Sequence, residues 1–536
     1  MEIVKNVRFL TKETDMIIRE MILFSLLCLG ALFFNSSEFV DTGIVPKWYM
    51  TITMGIVLVV YYLILSQRKR SFSFEMQGII YAIIISCALQ ALYGILQYWG
   101  VLQCTSSFRI TGSFDNPAGF ASSLCAGIPF LWFVWNGLKG WKKLLCVMTI
   151  LLLVCGVFLS GSRAGVLSIF MLVAIWGYQS VSWSKLQKIV LVIGALVVLI
   201  VFLYFLKRNS ADGRLLIWIC CLNMIAIKPW FGFGSGGFEA HYMDYQAQFF
   251  HRNPDSGYAI LADTVQQPFN EFLRIAVDYG LGGLLGLLGM IVFLILCYQK
   301  CNSRYKDLAA LSLCSITVFS LFSYPFLYPF TWAVVLLDLV ILAGNTWHIH
   351  WKIFSVVGKW LVILCVMGSL CITNTMVIRV KAEMKWKHAL SLSSCGLFEK
   401  AQPLYDAAER VLGNDRYFLY NYAAELNVAR FYKESLDIAM KCRHLWSDYD
   451  LEMLIAQNCW EINRMVEAEE HFRLASDMCP NRFMPLYRLV WLLDRQGRQT
   501  EARELATIII SKPVKIPSVI IERIKSEMEN YLTLKI

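Results

Sequence analysis

The stretch QKIVLVIGALVVLIVFLYFL, residues 187–206, carries one charge, Lys188 near its start, and runs from Ile189 to Leu206 without another. A helix of about 20 such residues satisfies its backbone hydrogen bonds internally and reaches across the hydrocarbon core of a bilayer. A soluble helix would need a polar face, and this run has none. Comparable runs fall at 17–34, 49–66, 77–99, 118–135, 143–160, 163–180, 271–298, 306–323, 327–344 and 360–377, which predicts about eleven spans in all.

Composition supports this reading. Of 536 residues 57% are hydrophobic and 16% charged, with a mean hydropathy of +0.54, too apolar for an ordinary soluble domain. The first run follows Lys5, Arg8 and Lys12 and ends at Asn35-Ser36-Ser37-Glu38 without a small-residue cleavage pattern, so it is expected to be a retained span.

Basic residues gather in alternate loops: Lys5, Arg8 and Lys12; Arg68, Lys69 and Arg70; Lys139, Lys142 and Lys143; Lys185 and Lys188; Lys300, Arg304 and Lys306; Lys352 and Lys359. Such loops stay in the cytoplasm. The N-terminus is therefore expected inside, and an odd number of spans puts the segment 207–270 and everything after about 377 outside. The net charge of +10 is mostly this topological signal and does not point to nucleic acid. The 17 cysteines lack CxxC spacing and read as small buried hydrophobes, on repeat helices as well as in spans; Cys220 and Cys221 in the external segment are weighed against that as a redox pair.

From about 381 the composition turns to mixed charge and a repeat appears. Small residues at Ala389, Ala423, Ala456 and Val490 are spaced by 34, 33 and 34, as are the turn positions Gly396, Arg430, Asn463 and Gly497 and the second small column Ala401, Ser435, Ala468 and Ala502. Three columns in one register resemble a tetratricopeptide array of helix pairs over 383–518, capped by a helix at 518–533. The expected architecture is all-α: a membrane domain over 1–380 and a tetratricopeptide α-solenoid over 381–536. Such a solenoid is expected to fold apart from the spans and to dock a protein partner or acceptor, the alternative being a spacer without a ligand.

Arg109, Arg163, Arg214, Lys228 and Arg252 break the charge rule by lying on the outer side. Arginine's planar fork suits phosphate oxygens, so external arginines at membrane depth suggest an anionic head group such as a lipid pyrophosphate. They sit in short blocks. Arg109 to Phe120 opens the fourth span, with Asp115 or Asn116 to cap it. Ser160-Gly161-Ser162-Arg163-Ala164-Gly165 is a tight hairpin. Arg214 to Trp218 starts an amphipathic helix that Pro229 stops, followed by a loop with Gly232, Gly234, Gly236 and Gly237 that suits close backbone approach. That loop lacks the Gly-Lys-Ser/Thr ending of a nucleotide-binding P-loop. Asn270, Arg274 and Asp278 then share a helix face, Arg274 and Asp278 being an expected ion pair.

Taken in order, these blocks resemble the O-antigen ligase and polymerase family, shared by some protein O-oligosaccharyltransferases, over roughly 75–340. The resemblance implies a glycosyltransferase of the inner membrane. It would move a glycan from undecaprenyl pyrophosphate to an acceptor hydroxyl on a lipid, a glycan or a protein, at the periplasmic face, without metal or cofactor. It implies that Arg109, Arg163, Arg214 and Arg274 hold the pyrophosphate, supported by Asn116, Asn270, Gly234 and Gly236, and that a base acts from the large external segment. Family members commonly carry histidine just before the asparagine of the last block, where this chain has Gln267, Pro268 and Phe269. His241, His251 and Glu271 remain as candidate bases. A polysaccharide transporter and a membrane scaffold acting through its repeats are the other classes. Against a transporter, no ionisable residues are read deep within several spans and no inverted repeat is seen.

Overall fold

The computed structural model describes residues 2–68, 75–104, 108–344 and 357–534; the basic positions Lys69, Arg70 and Lys352 lie outside them. Its elements are α1 (Glu2–Phe33), α2 (Ile44–Arg68), α3 (Met76–Tyr98), α4 (Pro117–Trp135), α5 (Gly140–Leu159), α6 (Arg163–Ser180) and α7 (Lys185–Leu206), then α8 (Arg208–Ile227), α9 (Gly237–Arg252), α10 (Glu271–Lys300), α11 (Lys306–Phe322), α12 (Pro329–Gly344) and α13 (Val357–Ser394). The chain continues as α14 (Phe398–Leu412), α15 (Arg416–Val428), α16 (Tyr432–Arg443), α17 (Tyr449–Glu461), α18 (Met465–Met478), α19 (Met484–Arg495), α20 (Gln499–Ser511) and α21 (Val519–Leu534). Among the described residues there is no strand, so the protein is all-α.

Two compact units form, one from 1–203 with 287–381 and one from 204–286 with 382–536. In the first, α4 is the hub, packed against α3, α5, α6, α11 and α12, whereas α7 is almost wholly exposed, as an outer helix facing lipid would be. Among the described residues nine helices are long and apolar enough to cross a membrane. Eight of these coincide with expected spans, and the ninth is α8. The segments expected as spans at 163–180, 306–323 and 327–344 are helical but fall short of the nine in length or apolarity. The reason is visible in two of them. Ser168 of α6 meets Ser315 of α11 at 2.7 Å, and Ser315 donates to the Cys125 carbonyl of α4, so polar groups are spent inside the bundle. Two carboxylates do lie buried in the helices of the first unit, Glu20 beside Arg19 in α1 and Asp338 in α12, to be set against the reading of no ionisable residues deep within several spans.

The second unit holds the repeats. Ala389, Ala423, Ala456 and Val490, and likewise Ala401, Ser435, Ala468 and Ala502, are wholly buried between paired helices. The turn column adopts positive φ throughout: Gly396 76°, Arg430 68°, Asn463 65° and Gly497 78°. That conformation closes each helix pair and is strained for an arginine. The array does not stand alone. Leu216, Cys220, Cys221 and Met224 of α8 and Phe238, Tyr242, Met243 and Phe250 of α9 share one hydrophobic core with Tyr449, Ala475, Met478 and Cys479 of the repeats. The buried Gln246 amide bridges the carbonyls of Met478 (2.7 Å) and Asp263 (3.1 Å). Arg443 reaches Asp244 of α9 and the buried Glu452, and Ser447 donates to Asp244. The expectation of repeats separable from the rest at 380 therefore meets a common core with 204–286. Cys220 and Cys221 are sealed in it, which removes the exposure a redox pair needs. Cys395, expected to be buried, is exposed at a helix turn.

Candidate functional site

In the second unit the site is built where α8, α9 and the start of α10 meet. Arg214 and Trp218 lie one helical turn apart and grip the same short segment. The Trp218 indole N–H donates to the Pro268 carbonyl at 3.1 Å, and the Arg214 guanidinium lies 4.9 Å from the Phe269 ring centre. Phe269 is held at φ 54°, a left-handed conformation costly for an aromatic residue and maintained only by such surroundings. The next residue, Asn270, caps α10 by accepting the Leu273 N–H at 3.0 Å, and Glu271 begins the helix with its side chain buried.

The glycine-rich loop approaches its own protein closely. The helix α10 breaks at Gly280 (φ 63°, ψ −156°). Into that break Phe233 and Gly234 donate to the carbonyls of Val277 and Asp278, while Leu281 and Gly282 donate to those of Pro229 and Trp230. A Cβ on Gly232 would stand 2.4 Å from the Val277 oxygen, and one on Gly280 would stand 2.5 Å from the Trp230 carbonyl carbon. The two glycine blocks are thus one backbone clamp, and the close backbone approach expected of the loop is made to α10. Gly236, at φ 76°, precedes α9.

Arg274 is the charge centre. It donates to Gln267 (2.9 Å) and Glu239 (3.0 Å) and lies 3.9 Å from Asp278. The expected pair with Asp278 is present, yet Glu239 is the nearer partner. Asp278 also accepts the Phe238 N–H at 2.9 Å, so a protein carboxylate already caps α9. Arg416 of α15 approaches Glu239 at 3.7 Å, bringing the repeats into the cluster. His241, one turn beyond the start of α9, is half-buried with its ring 5.0 Å from that of Phe233, and burial holds its pKa below the ordinary histidine value. His251 stands ten residues further along α9, about 15 Å away, exposed and paired with Asp477 at 3.3 Å. The structure does not bring it to Arg274.

In the first unit Asn116 caps α4 through the Ala118 N–H at 2.9 Å, Asp115 accepts from Tyr328, and Ser162 caps α6 so that Arg163 begins it. Arg109 is exposed. Lys47, absent from the sequence expectations, is buried with its ammonium 5.7 Å from the Phe114 ring centre and bonded to Asn35 and the Gly43 carbonyl. It lies near a span start on the side that Arg109 occupies, a signal the charge rule offered.

Residues 148–288 match a family model described as O-antigen ligase. That segment is similar to the O-antigen ligase family. No curated protein matches the chain. The matched part is narrower than the 75–340 of the sequence resemblance. It contains Arg163, Arg214, the glycine clamp, Asn270, Arg274 and Asp278, and leaves out the 109–121 block and the repeats. The match supports an activity of the glycan ligase or polymerase type in a chain with many apolar helices. Glu239 and Arg416 were missed because their pairing joins distant parts of the chain. The cap at Asp278 was legible as an acidic residue next to a glycine break, had the break been read.

Proposed function

We propose that this protein transfers a glycan from undecaprenyl pyrophosphate to an acceptor hydroxyl at the periplasmic face of the inner membrane. The observation that carries the reading is that the family match encloses both Arg163 and Arg214, each opening or lining a helix on the side the charge pattern puts outside. In the reaction the acceptor oxygen attacks the anomeric carbon, the bond from that carbon to the pyrophosphate oxygen breaks, and undecaprenyl pyrophosphate leaves with the electron pair. From their place in the sequence pattern, Arg163, Arg214 and Arg109 are the residues assigned to the charge growing on the leaving group. Arg274, already engaged by two carboxylates, holds α9 against α10 and acts as a positioning residue.

The hydroxyl proton goes to a base. His241 is supported by its lowered pKa, which keeps the imidazole neutral and able to accept at neutral pH. Glu271, buried beside the segment that Arg214 holds, is the second candidate. Charge neutralisation by arginine leads to the expectation that activity survives chelation. A ligase, a polymerase and a protein glycosyltransferase differ here only in the acceptor.

The test is cell-free transfer from lipid-linked glycan by Arg163→Ala and Arg214→Ala at matched expression. Each is expected to lose about 100-fold or more in kcat, the scale of one lost contact to developing charge. Lysine is expected to rescue poorly, lacking the bidentate fork. Near-normal turnover in both alanine variants would remove the pyrophosphate reading.

A further inference from the structure

A cavity of about 340 Å³ lies within the second unit, between the start of α9 and the repeats. On the α9 side it is lined by Ser235, Gly236 and Ala240; on the repeat side by the run Asn414 to Tyr417, which includes the carboxylate Asp415 that caps α15, and by His444 and Leu445. Its chemistry is mixed. Asn414 and His444 each offer donor and acceptor atoms, Arg416 donates only, and Tyr417 is an aromatic wall that remains 43% exposed. A phosphate site would be lined by cations and free N–H groups, but the α9 terminus here is capped by Asp278 and the Arg416 charge is met by Glu239. An apolar peptide side chain would want an apolar lining. Donors and acceptors together beside a partly exposed aromatic ring suit a polyhydroxylated ligand, whose hydroxyls both give and accept and whose C–H faces pack on rings.

The cavity wall connects to the Arg274 cluster twice. Arg416 approaches Glu239, which holds Arg274. The Tyr417 hydroxyl donates to Gln266 at 2.9 Å, next to Gln267, which accepts from Arg274 at 2.9 Å. The second Glu239 oxygen, Oε2, is buried and has no hydrogen-bond partner among the described residues, an acceptor left unfilled beside the lining residue Ala240.

We propose that this cavity is the acceptor's saccharide subsite, taking one or two sugar units, so that the acceptor is a carbohydrate and the repeats supply one wall of its site. The proposal rests on the transferase reading above. It is tested on the full-length protein in detergent. The probe is oligosaccharide released by mild acid from the polysaccharide the cells assemble, followed by saturation-transfer NMR, with inorganic pyrophosphate as competitor. Wild type and Tyr417→Phe, which keeps the ring, are expected to show the saccharide signal undisturbed by pyrophosphate. Tyr417→Ala and Asn414→Ala are expected to lose most of it. In transfer assays both alanine variants are expected to raise the acceptor's apparent KM by about tenfold, the scale of one or two lost polar or stacking contacts, with the donor's KM unmoved.

Equal signals in all four proteins, or displacement by pyrophosphate, would overturn the subsite. So would transfer to a protein acceptor alone with no saccharide signal. Saccharide binding through Tyr417 in a protein that transfers nothing would overturn the transferase reading and leave the subsite standing. Normal transfer without saccharide binding would do the reverse.

Discussion

Arg274 and Arg214 carry the same charge in the same unit, yet their neighbours give them different work. Arg274 faces Glu239, which is 7% exposed, and Asp278, so removing it strands two buried carboxylates. Arg274→Ala is therefore expected to cost about 2–4 kcal/mol of stability together with activity, since breaking a buried pair leaves an uncompensated charge. A thermal melt beside the transfer assay checks this, and an unchanged melt would show that the pairs contribute little. His241 bears on the base. Below its pKa the ring is protonated and cannot accept, and burial moves that pKa down, so the acid limb of kcat/KM is expected to have its midpoint under 6.5. His241→Ala is expected to lose about 100-fold or more in turnover and to abolish that limb. Full activity in this variant would pass the role to Glu271. At this scale the cap Asn116 was legible from residue type and position, because a cap depends on three or four neighbouring residues, whereas Asn270 was read onto the face of the helix it caps. Glu239 with Arg416 was not, because nothing local records which distant helix arrives at a carboxylate.

Among elements, the clamp between the 229–236 loop and the break in α10 determines how α9 is presented. Gly280 occupies a conformation open to glycine alone, and a methyl there meets the Trp230 backbone. Gly280→Ala is expected to cost about 1–3 kcal/mol from strain alone and to impair transfer, while Gly286→Ala in the same helix, where a Cβ meets nothing within 4 Å, is expected to be silent. Equal effects of the two would argue against the clamp. The break was hidden in the sequence because an apolar, glycine-containing run reads as an uninterrupted span. The repeat helices, by contrast, were legible to the residue, since each small position and each turn recurs in register and the turns take the same left-handed backbone. One of them holds a pH-dependent group: Asp448 caps α17 yet is buried, and desolvation raises its pKa to about 6. The folded state thus resists ionising a group that ionises near 3.8 when unfolded, so stability is expected to fall as pH rises from about 4 to about 6 and to level off above. Asp448→Asn keeps a cap without the charge and is expected to raise Tm by about 2–4 °C at pH 7.5, equivalent to ~1 kcal/mol. A lower Tm at pH 7.5 would mean the ionised cap outweighs its burial.

For the molecule as a whole, the sequence divided at the change of composition near 381, and the compact units divide elsewhere, because composition reports solvent and cores report contacts. Deleting 382–536 is expected to expose Tyr242, Met243 and Cys220 and their neighbours, so the segment 204–286 should become protease-sensitive and transfer should fail with every acceptor alike. A truncated protein that still used a small soluble acceptor well would restore the picture of a detachable recruiting module. Reporter fusions near residues 250 and 450 should score on the same side, since both belong to one unit, and the charge pattern predicts the outside. The most direct test of the central claim is transfer by the purified full-length protein, given undecaprenyl-pyrophosphate-linked glycan and a carbohydrate acceptor with chelator present. The account predicts one undecaprenyl pyrophosphate released for each glycan joined; glycan joined without that release, or release that continues unchanged in Arg163→Ala and Arg214→Ala, would contradict it.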